Sequence, residues 1–511
     1  MIRTLRASAA ALAALLAVCA TRPLVGQCPD GTPPPCAAAR AERARPGANS
    51  LAVLYFDNLS RDSSDAYLAD GLTEEIILRL QQVRRLEVKS RFESQRVRGR
   101  RGLAPAALGR ELAARYLVNG TIQRAGDRLV VRVELTRADR GVGVWSERFD
   151  KTSASVLDVI DDVARGVATG VAGELLPTEA ADLARRPTAD PAAYAHYVRG
   201  NVYLAQRTPT AFARALDDYE AAYSLDPGLV IAPGRVAYAY ALGVGYGVGG
   251  LPADTVLARG ARAILRAKSV APNVADTWMA IGYRQLVQTF FGTADSLEAA
   301  VRSLGRAVEL DPGSAEAHHQ YAQGLVFQER DSAALAEYRR ALALEPGRAV
   351  TYREMAFMLV SEGRYREAIG WCDSTLAADP NNAWGYLMRG RAWLLLGDAA
   401  AAERDASSVL AIPRDGDPAD AHGLQAMVLA FRGDTAGARR EAASAAQGNG
   451  GYVGLEWPVA IGQPDLALDT VEKLASTPMR CYFLHRIPAL ASLRGQPRYD
   501  RLAAACPMRG A

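Results

Sequence analysis

Proline spacing constrains this chain more than any other feature. Asp311-Pro312, Glu345-Pro346, Asp379-Pro380 and Ile412-Pro413 fall 34, 34 and 33 residues apart, preceded at wider intervals by Asp226-Pro227 and Ala271-Pro272. Proline lacks a backbone N–H and disfavours helix at the residue before it, so each pair is expected to stop a helix. Twelve residues before four of these prolines stand Ala215, Ala300, Ala334 and Ala368, small enough to let two helices touch. Tyr219 and Tyr338 follow four residues later, and Cys372 holds the equivalent place in the next unit, as a small core residue. A helix stop that recurs at this spacing marks a repeated unit, and such units bury their apolar faces only by stacking on their neighbours.

The repeat resembles the tetratricopeptide (TPR) family. Trp278-x-x-Ile281-Gly282 matches the family's first-helix signature, and Gly363 and Gly397 match its inter-helix turn. A further unit carries Gly433 and Ala438 without a closing proline, and a degenerate hairpin carries Gly462 and Ala467. The reading is therefore about six hairpins over 190–447, with an atypical helical cap over 448–511. The resemblance implies an all-α superhelical solenoid whose first helices line a concave groove for an extended peptide or a helix. Carried over by register, the groove positions are His319, Gln323, Arg353, Phe357, Trp384 and Arg391. Aromatics beside arginines are what interface hot spots are made of.

Ahead of the array, residues 49–178 read as a small α/β domain. Ala52–Phe56 is an apolar run that suits a buried strand, and Leu68, Leu72, Ile76 and Leu80 mark one helix face. Leu86–Val88 reads as a second strand, and a helix starting at Pro105 leads into strands at Tyr116–Arg124, Arg128–Arg137 and Val142–Phe149. In the middle one Val131, Val133 and Leu135 alternate with Arg132, Glu134 and Thr136, as in a strand wetted on one side. A helix marked by Val156, Val159, Ile160, Val163 and Val167 closes the domain. The strings Leu51–Ser60, Tyr67–Ile76, Leu108–Leu112, Tyr116–Thr121 and Val144–Asp150 resemble the TolB-like N-terminal domain. Similar domains accompany TPR arrays in bacterial chains, often after a cyclase, kinase or regulator module. The fold class expected is thus a two-part α+β chain, a TolB-like domain followed by a solenoid.

The first residues have the form of an export signal. Arg3 and Arg6 precede the uncharged run Ala7–Ala20, whose 14 residues are too few to span a bilayer. A signal over 1–27 leaves cleavage after Ala20 or Gln27, lipidation at Cys19, or retention as an anchor open. A Pro/Ala-rich linker follows over 28–48. An exported chain meets an oxidising space, so disulfides are expected between Cys28 and Cys36 and between Cys481 and Cys506.

Little in the sequence points to chemistry. Basic residues number 60 against 56 acids, and only four are lysine; the arginines are scattered among acids, which argues against a nucleic-acid surface. Gly245-x-Gly247-x-x-Gly250 fits a dinucleotide fingerprint literally but follows a repeat helix rather than a strand, and reads as a flexible insert. His318-His319 are adjacent and cannot share a metal as residues four apart would; His318 should face the partner helix and His319 the groove. Asp70, Glu74 and Glu75 form an acidic cluster that reads as the wetted side of an amphipathic helix. No cofactor, metal or catalytic residue is expected. The function expected is an exported, periplasmic, non-enzymatic scaffold binding a protein or peptide. The alternative is a sensor whose TolB-like domain takes a small ligand and signals through a cyclase, kinase or regulator on another chain.

Overall fold

The computed structural model describes residues 46–60, 66–100, 102–152, 156–183, 186–290, 297–378, 380–412, 419–447, 452–473 and 477–506. The expected signal, nearly all of the linker and the Cys28–Cys36 pair lie outside the described residues.

The first part is built on a sheet ordered β3-β1-β4-β5-β6, with β2 also on β4. β1 (Ser50–Val53) lies parallel to β3 (Glu87–Val88) and to β4 (Tyr116–Ala125), which β2 (Asp57–Asn58) also joins in parallel. β4, β5 (Arg128–Arg137) and β6 (Val142–Thr152) form an antiparallel meander. β1 reads as an unbroken apolar run because both its faces are covered. Leu51 and Val53 join the larger core, with helices α1 (Ala66–Gln81) and α4 (Val156–Ala172). Ala52 joins a smaller cluster with Val97 and with Leu108 and Leu112, around helices α2 (Arg91–Arg96) and α3 (Pro105–Glu111). In β5, Val131, Val133 and Leu135 are buried and Arg132 and Glu134 exposed, as the alternation requires, but Thr136, expected on the wetted side, is buried.

Two helices escaped the sequence reading. α2 is one short turn-and-a-half, set by a capping box in which Ser90 and Glu93 satisfy each other's backbone amides. α5 (Pro177–Leu183) extends the domain past 178, because Leu183 belongs to its core.

The second part is an array of paired helices, each packed on the next. First helices begin at Pro191, Ile231, Ala275, Ala315, Ala349, Ala383 and Ala419, and the last second helix ends at Ala445. Among the described residues this makes seven pairs where about six were expected: a proline follows each of the first six, and the unit of Gly433 and Ala438 is the seventh. Ala215, Ala300, Ala334 and Ala368 are fully buried, as are Tyr219 and Cys372, with Tyr338 1% exposed. Gly363, Gly397 and Gly433 hold positive φ of 75°, 88° and 82° at the inter-helix turns, where a side chain would be strained. Gly247, Gly249 and Gly250 lie in the turn after the second pair's first helix. They end the helix Ile231–Tyr246 with φ of 85°, 52° and 76°, and the Gly249 amide donates to the Pro209 carbonyl at 2.9 Å.

The last helices, expected as a cap, both cover the end of the array, where Tyr452–Leu455 and Trp457–Ala460 pack on Ala419–Phe431, and fold back along it. Thr477–Arg486 packs on the first helices Ala275–Phe290 and Ala315–Phe327. The reason is apolar area: Met355, Phe357, Leu387, Met388 and Leu424 need cover, and they form one continuous core with Tyr482, Phe483, Leu484, Ile487 and Leu490. The two parts also touch. Val198 sits against Gly71 of α1, where a Cβ would collide, and the Ser90 hydroxyl donates to the Pro346 carbonyl between the fourth and fifth pairs.

Candidate interaction face

The six groove positions do lie on first helices, but the chain covers much of that face itself. Arg391, expected to offer its cation to a partner, is 1% exposed and forked onto Glu456 of the C-terminal segment. Nε and Nη2 donate to the two carboxylate oxygens at 2.5 and 2.7 Å, and Nη1 reaches the Met388 sulfur at 3.0 Å. Fork-on-fork geometry of this kind is the strong form of an arginine–carboxylate contact. Glu456 is 2% exposed, so both charges are withdrawn from water together.

His319 is likewise closed off rather than facing an open groove. Its Nδ1 lies 3.0 Å from the Thr351 hydroxyl of the next pair, and its ring tilts against Tyr338 at 5.6 Å. Burial, and then the neighbouring Arg348 cation, lower its pKa well below the usual histidine range. Phe357 is buried in the shared core, and Trp384 packs half-buried against it. Gln323 is half-buried. Arg353 donates to its neighbour Glu354, Nη2 to Oε1 at 2.6 Å. Structure therefore leaves Gln323, Trp384 and part of Arg353 at the surface of this face, and withdraws His319, Phe357 and Arg391.

A polar cluster on the same side was not anticipated. Glu316 accepts from Arg348, from Arg207 Nη2 at 3.1 and 3.2 Å, from the Tyr238 hydroxyl and from Gln320 Nε2 at 2.9 Å. Burial alone would raise its pKa, but Arg348 and then Arg207 outweigh it and hold the carboxyl well below the usual range. Arg207 reaches it from the turn of the first pair, 109 residues away. No spacing in the sequence announces such a contact. By contrast, His318 and His422 each meet a glutamate 19 residues on, Glu337 at 2.6 Å and Glu441 at 2.7 Å. Both histidines stand 16 residues before a buried alanine, Ala334 and Ala438, so this pairing was legible in the repeat register.

The acidic cluster of α1 is not a wetted face. Asp70 is gripped by both Nη atoms of Arg98 at 2.7 and 3.0 Å. Glu74 accepts from the Tyr55 hydroxyl at 3.0 Å and Arg91 at 3.3 Å, and Glu75 from Arg79 at 2.9 Å. Arg79 is 2% exposed and ties α1 to Asp161 of α4 and to the Leu183 carbonyl. Asp70 and Glu74 thus bind α1 to the segment around α2, and Glu75 braces Arg79 within α1.

Cys481 and Cys506 are joined as a disulfide, closing the C-terminal helices over a separation of 25 residues. Cys372 is a buried free thiol whose pKa is pushed up by burial. Among the described residues no three His, Cys, Asp or Glu side chains converge as metal ligands would, and no helix is long and apolar enough to cross a membrane.

No protein-family profile matches the chain. Among curated proteins, putative adenylate cyclase 3 of Rhizobium meliloti (strain 1021) is 31% identical over 201 residues, which are 39% of this chain and 34% of that protein. The match thus spans about a third of the relative's length. Solved structures similar to the chain include Pseudomonas aeruginosa PilF, at 22% identity and a TM-score of 0.31, covering 45% of this chain and 96% of that one. A thermophilic TPR protein of Thermus thermophilus is 19% identical with a TM-score of 0.33, over 40% and 100% of the two chains. The APC/C hetero-tetramer Cut9–Hcn1 is 13% identical with a TM-score of 0.44, over 69% and 63%.

Proposed function

We propose that this chain is an exported, non-enzymatic scaffold of the bacterial envelope whose helical array grips polypeptide along its first helices. The observation that carries the reading is the C-terminal segment itself. A stretch of ordinary chain lies against those helices, anchored by a carboxylate on Arg391 and by Tyr482 edge-on to Phe327 at 5.1 Å. A face that holds one polypeptide this way has the apolar floor and fixed cation needed to hold another. A partner would meet the face at Gln323 and Trp384 and, to engage Arg391, would displace Glu456 with a carboxylate of its own. Photo-crosslinking from positions 323 and 384 of the full chain in intact cells tests this. Capture of a discrete second protein supports it; crosslinks only to the chain's own C-terminal segment overturn it.

A second reading is favoured by the 31% identity to a putative adenylate cyclase. In it the TolB-like domain and array form a regulatory unit that acts with a cyclase on another chain. Thermal-shift screening of the full chain against nucleotides and metabolites separates the two, since the scaffold reading expects no stabilisation.

A further inference from the structure

We propose that the outer edge of β6 is a self-association surface, pairing antiparallel with the same strand of a second copy of this chain. β6 closes one end of the sheet: β5 bonds to one side, and no described strand bonds to the other. It is 11 residues long, and all of it except Trp145 and Phe149 is exposed, with Val142 at 56% and Val144 at 43%. Open edges invite another strand and are usually blunted, by shortness, by proline, by a bulge or by an unmatched charge; β6 has one bulge, at Val144, and is regular from Trp145 to Thr152, the stretch the pairing uses.

The charges on β6 are not unmatched when the strand meets itself. The central residues read Glu147-Arg148-Phe149-Asp150-Lys151. A two-fold axis through Phe149 sets Arg148 of one copy opposite Asp150 of the other, and Glu147 opposite Lys151, each twice by symmetry. Every charge then meets its opposite. Sliding the register by one pleat, the smallest shift that keeps the buried face buried, puts Arg148 or Asp150 against its own copy. The pattern therefore selects one register and penalises its neighbours, as cross-strand pairs do within a sheet.

The surroundings suit the same occupant. Within the chain Asp150 already accepts from Arg128 at 2.6 and 2.8 Å and from Arg148 at 3.2 Å, so a second Arg148 would extend a ladder of alternating sign. Beside the edge an open recess of about 500 Å³ runs between β6 and α4, lined by Val144, Trp145, Glu147, Asp162 and Arg165. Pairing would join two six-stranded sheets into one.

Charge reversal on the full chain tests the register. Glu147 and Lys151 are exposed, and each can be replaced without disturbing the core. Sedimentation equilibrium over a concentration series should show a dimer for the unaltered chain. Glu147→Lys and Lys151→Glu should each weaken it roughly tenfold or more, since both symmetry-related pairs turn repulsive. The double variant restores opposite signs and should recover the original affinity. A monomer at every concentration overturns the proposal. So does a dimer indifferent to both single reversals, or a double variant no tighter than either single one.

Discussion

Arg391 and Glu456 stand 65 residues apart and form a two-pronged ion pair that water does not reach. The pair fastens the last helices to the sixth helix pair of the array. Removing one partner of such a pair strands the other charge, which costs about 3–5 kcal/mol, whereas an apolar replacement of both is far milder. Arg391→Ala should therefore loosen the C-terminal segment, seen as faster amide exchange over 452–506, and Arg391→Met with Glu456→Leu should restore much of the protection.

His319 gives the fold a pH dependence of known sign. Its folded pKa is depressed, so the unfolded chain binds its proton first. Its contribution is complete above the ordinary histidine value of about 6.5 and is lost as pH falls below it, by up to about 1.4 kcal/mol per pH unit. Urea midpoints between pH 7.5 and 5.5 should fall in the native chain and fall less in His319→Gln.

Glu316 acts in a lower window. Its folded carboxyl is also depressed, so its stabilisation is present above the unfolded glutamate value of about 4.3 and drains away as pH drops beneath that. Glu316→Gln should cost about 3 kcal/mol at neutral pH, because Arg207 and Arg348 are left facing each other's charge, and should flatten the acid limb of the stability profile.

The Cys481–Cys506 bridge closes 25 residues, for which chain entropy suggests about 3 kcal/mol. Cys506→Ser, or reductant, should destabilise the C-terminal helices by that order in thermal unfolding while leaving the amide protection of the N-terminal sheet unchanged.

Cys372 has no exposed surface and a pKa raised by burial, both of which suppress the thiolate. In the folded chain it should resist thiol reagents over hours, and label fully once the array is unfolded.

Much of the architecture was written in short-range pattern. Proline at each helix end, Ala334 or Ala368 twelve residues before it, and glycine at the turn are local requirements, each met within one repeat. The alternation in β5 and the two-sided burial of β1 are of the same kind. The candidate face was legible only in part. Register put His319, Phe357 and Arg391 on first helices, yet could not say that the chain's own end would cover them. Periodicity reports what a residue's neighbours along the helix do, and Glu456 and Tyr482 are not among those neighbours. The acid cluster of α1 was hidden in part for the same reason, since Arg98 and Arg91 reach Asp70 and Glu74 from outside the helix, while Arg79 stands one turn from Glu75 within it.

Helix stops, small contact residues and strand alternation act within one repeat or one strand, so the elements and their stacking can be read along the chain. Which charges pair and which face is closed emerge in the folded chain. Those outcomes depend on apolar area left over after the hairpins stack, and on arginines such as Arg207 and Arg391 finding carboxylates 65 to 109 residues away.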